Sequence, residues 1–299
     1  LSLPIVSHPG YDAGFAINHR FPMGKYPALM RALERRGLLR NIHRPAPAPA
    51  NWLSRAHDRF YVDQVIGCAV PKSIEREIGF PIDERVSLRA QLAAGGTILA
   101  ARLALETGIA CNAAGGSHHA RRAQGAGFCT FNDVAVATLV LLGEGLVSKV
   151  LIIDLDVHQG DGTADILGGE TRAMTISMHA ARNYPVRKVA SDIDIDLPDG
   201  LGDQDYLAEL AALLARLDSN QNCDLVFYNA GVDPHGEDRL GRLSLTDKGL
   251  RQRDRMVIEH FRGRAIPVCG VIGGGYSLDI EALAERHAIL FEEASRIAR

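Results

Sequence analysis

The sequence predicts one α/β domain over residues 1–299, built on an open, mostly parallel sheet with helices on both faces. Short, β-branched apolar runs alternate along the chain with stretches of helical periodicity. Several of these runs end in glycine beside titratable residues, as strands do at the carboxyl edge of a parallel sheet, where ligands bind. The 299 residues, 46% hydrophobic and 23% charged, suffice to bury one large core.

Taken in order, LPIVSH reads as a strand, followed by a loop over residues 10–24. KYPALMRALERRG is a helix that Gly37 stops. RPAPAPA, residues 44–50, is a stiff surface connector. A helical pattern over residues 54–66 turns Phe60, Val62 and Val65 inward. A longer helix over residues 84–107 is capped by Asp83, and Gly95 and Gly96 permit close packing where Ala would be more stable. GIACNAA is a strand that delivers the loop Gly115, Gly116, Ser117, His118, His119, and from Phe131 a helix runs through VAVATLVLLGEG. After VLIID come AMTISM as strand, DIDIDLP as edge strand, residues 203–217 as helix and DLVFYNAG as strand. Residues 246–261 form a helix, AIPVCGVIGGGY a strand and turn, and residues 278–297 a last amphipathic helix.

Formal net charge is −3 with no run of Lys and Arg, so an electrostatic footprint for nucleic acid is missing. No apolar stretch approaches the roughly 18 residues of a membrane span, and the first residues lack the layout of a secretory signal. The expectation is a soluble, cytoplasmic protein. Five cysteines, an odd count without C-x-x-C spacing, argue against a disulfide framework and a thiolate zinc site.

The chemistry centres on VLIIDLDVHQGDGT, residues 150–163. Asp154, Asp156 and His158 stand two apart, and side chains of extended chain alternate with period two, so all three project to one side. Two carboxylates and an imidazole converging there go unsatisfied unless a cation sits among them. Asp161, between Gly160 and Gly162, returns to the same place through a tight turn. An isolated Asp-x-Asp is better read as a solvated acidic turn; the other strand ends change that balance. His118 and His119 follow one candidate strand, Ser177 and His179 another, Asp233 a fourth and Tyr276 a fifth.

Asp156, His158 and Asp233 make a three-ligand site with an open position, suited to Zn²⁺ and admitting Fe²⁺ or Mn²⁺. His118 and His119 are adjacent, which suits proton handling better than chelation, with Asp154 and Asp161 as orienting partners. Tyr276, in GGGYS, can donate to a carbonyl oxygen as charge develops on it. Gly127 and Phe128 can line an apolar passage. Singly, these are a packed Phe, a core Tyr, a structural His pair and a polar loop Asp before Pro234. Their convergence on one sheet edge is what favours a site.

At GGSHHA, GFCTFNDVAVA, IIDLDVHQGDG, NAGVDPHGEDRLGRLSLT and GGGYS the sequence resembles the zinc-dependent histone deacetylase superfamily, whose fold is shared with arginases, over nearly the whole chain. IGFP, AGGTILAARLAL, NYP and EDRLGRLS most resemble class IV deacetylases and their bacterial relatives. The resemblance implies Asp156, His158 and Asp233 as zinc ligands, His118 and His119 as catalytic histidines backed by Asp154 and Asp161, and Tyr276 as the carbonyl-polarising hydroxyl. It also implies a structural K⁺ held by Asp154, Ser177 and the backbones of Asp156, His158 and Met178. In the implied acyl-lysine tunnel the Gly127 carbonyl accepts the substrate amide, and Phe128 with Asn183 or Tyr184 forms the walls.

Two departures stand out. FPIDE, residues 80–84, replaces the class I loop whose acidic residue grips the substrate backbone, and Leu167, Glu170 and Ala173 stand where the second class I cation site has other residues. The implied activity is hydrolysis of an N-acyl amide, either an acylated lysine peptide or a small acylated amine. Acetylpolyamines and long fatty-acyl amides are alternative substrates, and an acyl-lysine binding module without turnover is the alternative class. An arginase-like dinuclear site would need more acids than remain once Asp154 and Asp161 serve the histidines. The sequence carries no signal for oligomeric state.

Overall fold

In the computed structural model, which describes residues 2–16, 18–217 and 223–298, the apolar runs pair into one eight-stranded sheet. Leu1 and Arg299 of the predicted domain, and Ile17 in the first loop, lie outside the described residues. The strands are β1 (Ile5–Val6), β2 (Ile42–His43), β3 (Ile109–Asn112), β4 (Val150–Asp154), β5 (Ala173–Ala180), β6 (Ile193–Leu197), β7 (Leu225–Asn229) and β8 (Val268–Val271). Their order is β2-β1-β3-β8-β7-β4-β5-β6, with every neighbouring pair parallel. All residues of β3, β4, β7 and β8 are buried, which is why those strands read as unbroken apolar runs. The edge strand β6 alternates partly buried and exposed residues until Leu197.

The α-helices among the described residues are α1 (Lys25–Arg35), α2 (Ala50–Ala56), α3 (Arg59–Ile66), α4 (Lys72–Ile78), α5 (Glu84–Thr107), α6 (Asp133–Gly143), α7 (Asp161–Leu167), α8 (Asp203–Leu217), α9 (Asp247–Arg262) and α10 (Ile280–Ile297). They cover both faces of the sheet. Cys269 of β8 turns its thiol to the Thr97 carbonyl in α5, 3.9 Å away. Tyr228 pairs with the next residue, Gly270, and so faces the other way, where its hydroxyl donates to Asp254 of α9 at 2.6 Å. Helix α5 packs on α6, whereas α10 packs on α1 and α9. Asp83 caps α5 as its sequence predicts, accepting from the Val86 N–H at 2.9 Å. No helix among the described residues is long and apolar enough to cross a membrane.

Local pattern misplaces some elements. The helix predicted over residues 54–66 is two helices, α2 and α3, separated at His57 and Asp58. With α3 starting afresh at Arg59, Tyr61, Val62 and Val65 turn inward and Phe60 is 75% exposed, against the expectation that it packs inside. The proline-rich connector does not stand free on the surface: Ala48 is buried and donates its N–H to the Gln91 carbonyl of α5 at 2.9 Å. Helix α4 and the two-residue β2 carry too few residues for a pattern to show.

His57 sits in extended conformation at the break between α2 and α3 and ties it to a distant loop. Its Nδ1 donates to the Arg121 carbonyl at 2.9 Å and its Nε2 accepts from the Asn132 N–H at 2.9 Å, so the ring must be neutral. Burial holds its pKa down to about 4, from an ordinary 6.5. Between those values the unfolded chain binds a proton that the folded chain refuses, so this stability is complete above pH 6.5 and is lost as pH falls. Between pH 7 and pH 5 the loss is expected to be about 2 kcal/mol in urea unfolding. That decrement should shrink in His57→Gln whatever the variant's stability at pH 7; an unchanged decrement would assign it to other groups.

Candidate active site

Strand β4 ends at Asp154, which pairs with Ser177 of β5 on one side and Asn229 of β7 on the other. Beyond it the pleat stops, so alternation does not aim the next side chains as the spacing predicts. Asx-type turns do so instead: the Asp156 N–H donates to Asp154 Oδ1 at 3.1 Å, and the His158 N–H to Asp156 Oδ1 at 3.0 Å. The Val157 N–H reaches Asp233 Oδ1 at 2.9 Å and draws the loop after β7 onto the loop after β4. From the turn after β8, the Gly274 N–H donates to Asp156 Oδ2 at 2.7 Å. A Cβ on Gly274 would lie 2.2 Å from Asp233 Oδ2, so only glycine fits there.

Asp156, His158 and Asp233 are all buried, and each offers a ligand atom within 4.8 Å of the others. His158 Nδ1 lies 3.0 Å from Asp156 Oδ1 and 3.1 Å from Asp233 Oδ2. One ring nitrogen carries at most one hydrogen and cannot satisfy two carboxylates. Burial and the neighbouring Asp156 carboxylate push Asp233 up to about 7. Burial opposes the charge of Asp156, yet His118 and His158 hold its pKa well below the usual carboxylate range. A buried cluster of two carboxylates around one imidazole is a donor set that fits a divalent cation.

The adjacent histidines are shifted in opposite directions. His118 Nδ1 is 2.6 Å from Asp154 Oδ2, and His119 Nδ1 is 2.6 Å from Asp161 Oδ1. Burial disfavours the His118 cation, but Asp154 and Asp156 outweigh it and raise the pKa to about 9. At His119, burial and the charge of His118 win over Asp161 and lower it to about 4. Asp154 and Asp156 thus favour a proton on His118, and burial beside His118 disfavours one on His119. Asp161 is not in a tight turn as predicted; it is the first residue of α7, where the helix dipole favours a carboxylate.

Tyr276 follows Gly275 and is fixed by its N–H, which donates to Asp238 Oδ2 at 2.7 Å. Its ring lies 6.1 Å from the His158 ring, nearly perpendicular to it. Burial, then Asp156 and Asp233, raise its pKa well above 10, so the phenol stays a proton donor. His119, His158 and Tyr276 line one cavity of about 390 Å³ together with Gly127, Phe128 and Tyr184. The Tyr184 ring stands perpendicular to His119 at 4.7 Å. Gly127 has φ +52°, and a Cβ there would meet His119 at 2.6 Å. Its carbonyl accepts weakly from the Cys129 thiol at 3.4 Å.

Asn183 lines the same cavity, but its amide is committed to the Leu240 carbonyl and the Arg242 N–H at 2.6 and 3.0 Å. It braces the wall. Of the residues implied to hold K⁺, Ser177 sits beside Asp154 in register and Met178 is buried next to it. Ser177 Oγ accepts from the Gly160 N–H at 3.3 Å, and both Asp154 oxygens already accept from protein donors. His179 leaves the site: β5 runs on to Ala180, and His179 Nε2 meets Asp196 of β6 at 2.9 Å.

Several supporting residues escape a sequence reading. Arg121 grips Asp161 Oδ2 through Nε and Nη2 at 3.0 and 2.7 Å, and Asn229 donates to Asp154 Oδ1 at 2.9 Å. Asp133 accepts from the Gly116 and Ser117 N–H groups and holds the loop that carries the histidines. In the sequence Asp133 stands at the start of a helical stretch, with nothing local that links it to residues 116 and 117.

A parallel sheet whose carboxyl edge gathers two His–Asp pairs, an Asp–His–Asp cluster and a buried phenol around one cavity defines a deacetylase-type hydrolase. Comparison with known proteins narrows the class: residues 19–292 match the histone deacetylase domain, and the chain belongs to that family. An uncharacterized protein of Picosynechococcus is 44% identical over 98% of this chain and 99% of its own length. Histone deacetylase 2 of Arabidopsis thaliana is 32% identical over 91% of this chain and 74% of its own. Histone deacetylase 1 of Homo sapiens is 29% identical over 79% of this chain and 52% of its own. The crystal structure of the HDA15 HD domain superposes with a TM-score of 0.79 at 23% identity, covering 97% of this chain and 89% of that one, and so shares the fold.

Proposed function

We propose that the protein is a metal-dependent amidohydrolase of class IV type that removes an acyl group, most simply acetyl, from an acylated lysine or similar amine. The observation that carries this reading is the buried Asp156–His158–Asp233 cluster beside one cavity that His119, His158 and Tyr276 line together. A divalent cation held by these three residues, Zn²⁺ or alternatively Fe²⁺, would supply Lewis acidity toward the carbonyl and water. A K⁺ held by Asp154, Ser177 and the backbones of Asp156, His158 and Met178 would be structural.

His119 takes the proton of the attacking water on Nε2, because Asp161 occupies its Nδ1 and Arg121 holds Asp161 in place. Tyr276 donates to the carbonyl oxygen as it becomes negative. His118, charged beside Asp154, adds a fixed positive charge. The water oxygen bonds to the acyl carbon, the C–N bond breaks, and His119 returns its proton to the leaving amine. Gly127 accepts the amide N–H, and Phe128 and Tyr184 shield the acyl-bearing chain from water. A dinuclear alternative lacks ligands, since Asp154 and Asp161 are engaged by the histidines and no second cluster occurs among the described residues.

The test uses chelator-stripped protein reloaded with Zn²⁺ or Fe²⁺, followed by acetate release from acetyl-lysine peptides and acetylpolyamines. Stripping should abolish hydrolysis, reloading should restore it, and mass spectrometry should find one tightly held divalent ion per chain. No hydrolysis of any substrate with either metal would refute the reading.

A further inference from the structure

The same cavity opens through a ring of arginines. Arg20 from the loop before α1, Arg76 from α4, Arg182 from the turn after β5 and Arg242 from the loop after β7 all line it. All four are exposed. Glu77, next to Arg76 on α4, is the one carboxylate among the lining residues, in a chain whose formal net charge is −3. The four come from separate segments, so no charge run announces them; the fold concentrates positive charge at this opening against the sign of the whole.

Little neutralises these groups. Arg182 and Arg242 share a single carboxylate, Asp199, at 3.8 and 3.1 Å, and their side chains remain 79% and 54% exposed. Arg20 and Arg76 have no ion-pair partner among the described residues. Acids close in sequence to the lining residues are used elsewhere: Glu75 accepts from the Ile82 N–H and pairs with Lys72, Asp83 caps α5, and Asp238 accepts from the Leu240, Gly241 and Tyr276 N–H groups. Guanidinium groups are weakly hydrated and offer forked donors that match carboxylate and phosphate oxygens. Like charges at a cleft focus potential onto whatever enters it.

We infer that the part of the substrate left outside the cavity is anionic: an N-acylated amine carrying carboxylate or phosphate groups close to the scissile amide. This rests on the hydrolase reading for the identity of the acyl amide, but the charge preference itself is a property of the rim. It disfavours acetylpolyamines, whose remaining ammonium groups would face the arginines.

The experiment compares acetyl-lysine peptides of equal length flanked by Glu, Gln or Lys, and in a second arm free Nε-acetyl-lysine with its carboxamide. On the metal-loaded protein kcat/KM should rank Glu above Gln above Lys, with a Glu-to-Lys ratio of about tenfold or more carried in KM. Raising salt from about 0.1 M to 1 M shortens the Debye length from ~10 to ~3 Å and should shrink that ratio severalfold. Arg20→Gln and Arg76→Gln break no ion pair of the fold and should each move the ratio toward one. A graded peptide series assigns the anion to an acidic peptide; preference confined to the free carboxylate assigns it to a small acid. Equal rates in both arms, or a preference for Lys, overturn the inference while leaving the hydrolase reading intact. Fluorescence anisotropy of the same peptides on Tyr276→Phe protein separates the converse case: salt-sensitive preference for Glu without any turnover in the wild type supports the rim and refutes the hydrolase.

Discussion

Replacing Tyr276 with Phe is expected to lower kcat by about 10²–10³ while KM and bound metal stay near wild type. The ring is held by its backbone N–H on Asp238 and by packing against Phe128, 5.7 Å away, and neither contact involves the hydroxyl. Losing the oxygen therefore removes one donor from the cavity and leaves its shape. That donor matters most when the carbonyl oxygen becomes an oxyanion, so the loss should fall on kcat. Steady-state kinetics with metal analysis checks this; unchanged turnover would remove Tyr276 from the chemistry.

His119→Ala is expected to cost about 10²–10⁴ in kcat, the range for removing a general acid–base group. His119 lies outside the Asp156–His158–Asp233 cluster, so metal content should persist. Its neighbour is placed differently: His118 Nδ1 is held by Asp154 at 2.6 Å, and the Asp154 and Asp156 carboxylates push its pKa up while that of His119 is lowered. Added imidazole should restore part of the rate, because the substitution empties space at the cavity wall beside Tyr184. A variant as active as wild type would shift the base role to another group.

Much of this site is legible in the sequence alone. The strand runs VLIID and LVFYN, the cap at Asp83, the edge alternation of DIDIDLP and the strand-end residues His118, His119, Asp156, His158, Asp233 and Tyr276 depend on patterns a few residues long. Where a pattern spans a break, reading fails. Residues 54–66 keep helical periodicity through His57, yet the helix stops there, where His57 donates to the Arg121 carbonyl and accepts from the Asn132 N–H, both distant in sequence. Asp156 and His158 do converge with Asp154, but through turns that satisfy the side-chain oxygens after the pleat has ended.

By itself the sequence determined the alternation of strands and helices, the all-buried central sheet and the kinds of group at its carboxyl edge, because burial periodicity and turn chemistry are local. Tertiary structure alone decided which groups meet. His118 and Asp154 are 36 residues apart, Asp156 and Gly274 are 118 apart, and the rim arginines come from four segments. The opposite pKa shifts of two adjacent histidines, and a positive mouth on an acidic chain, arise from burial and from charges brought close by packing, distances that no local pattern encodes.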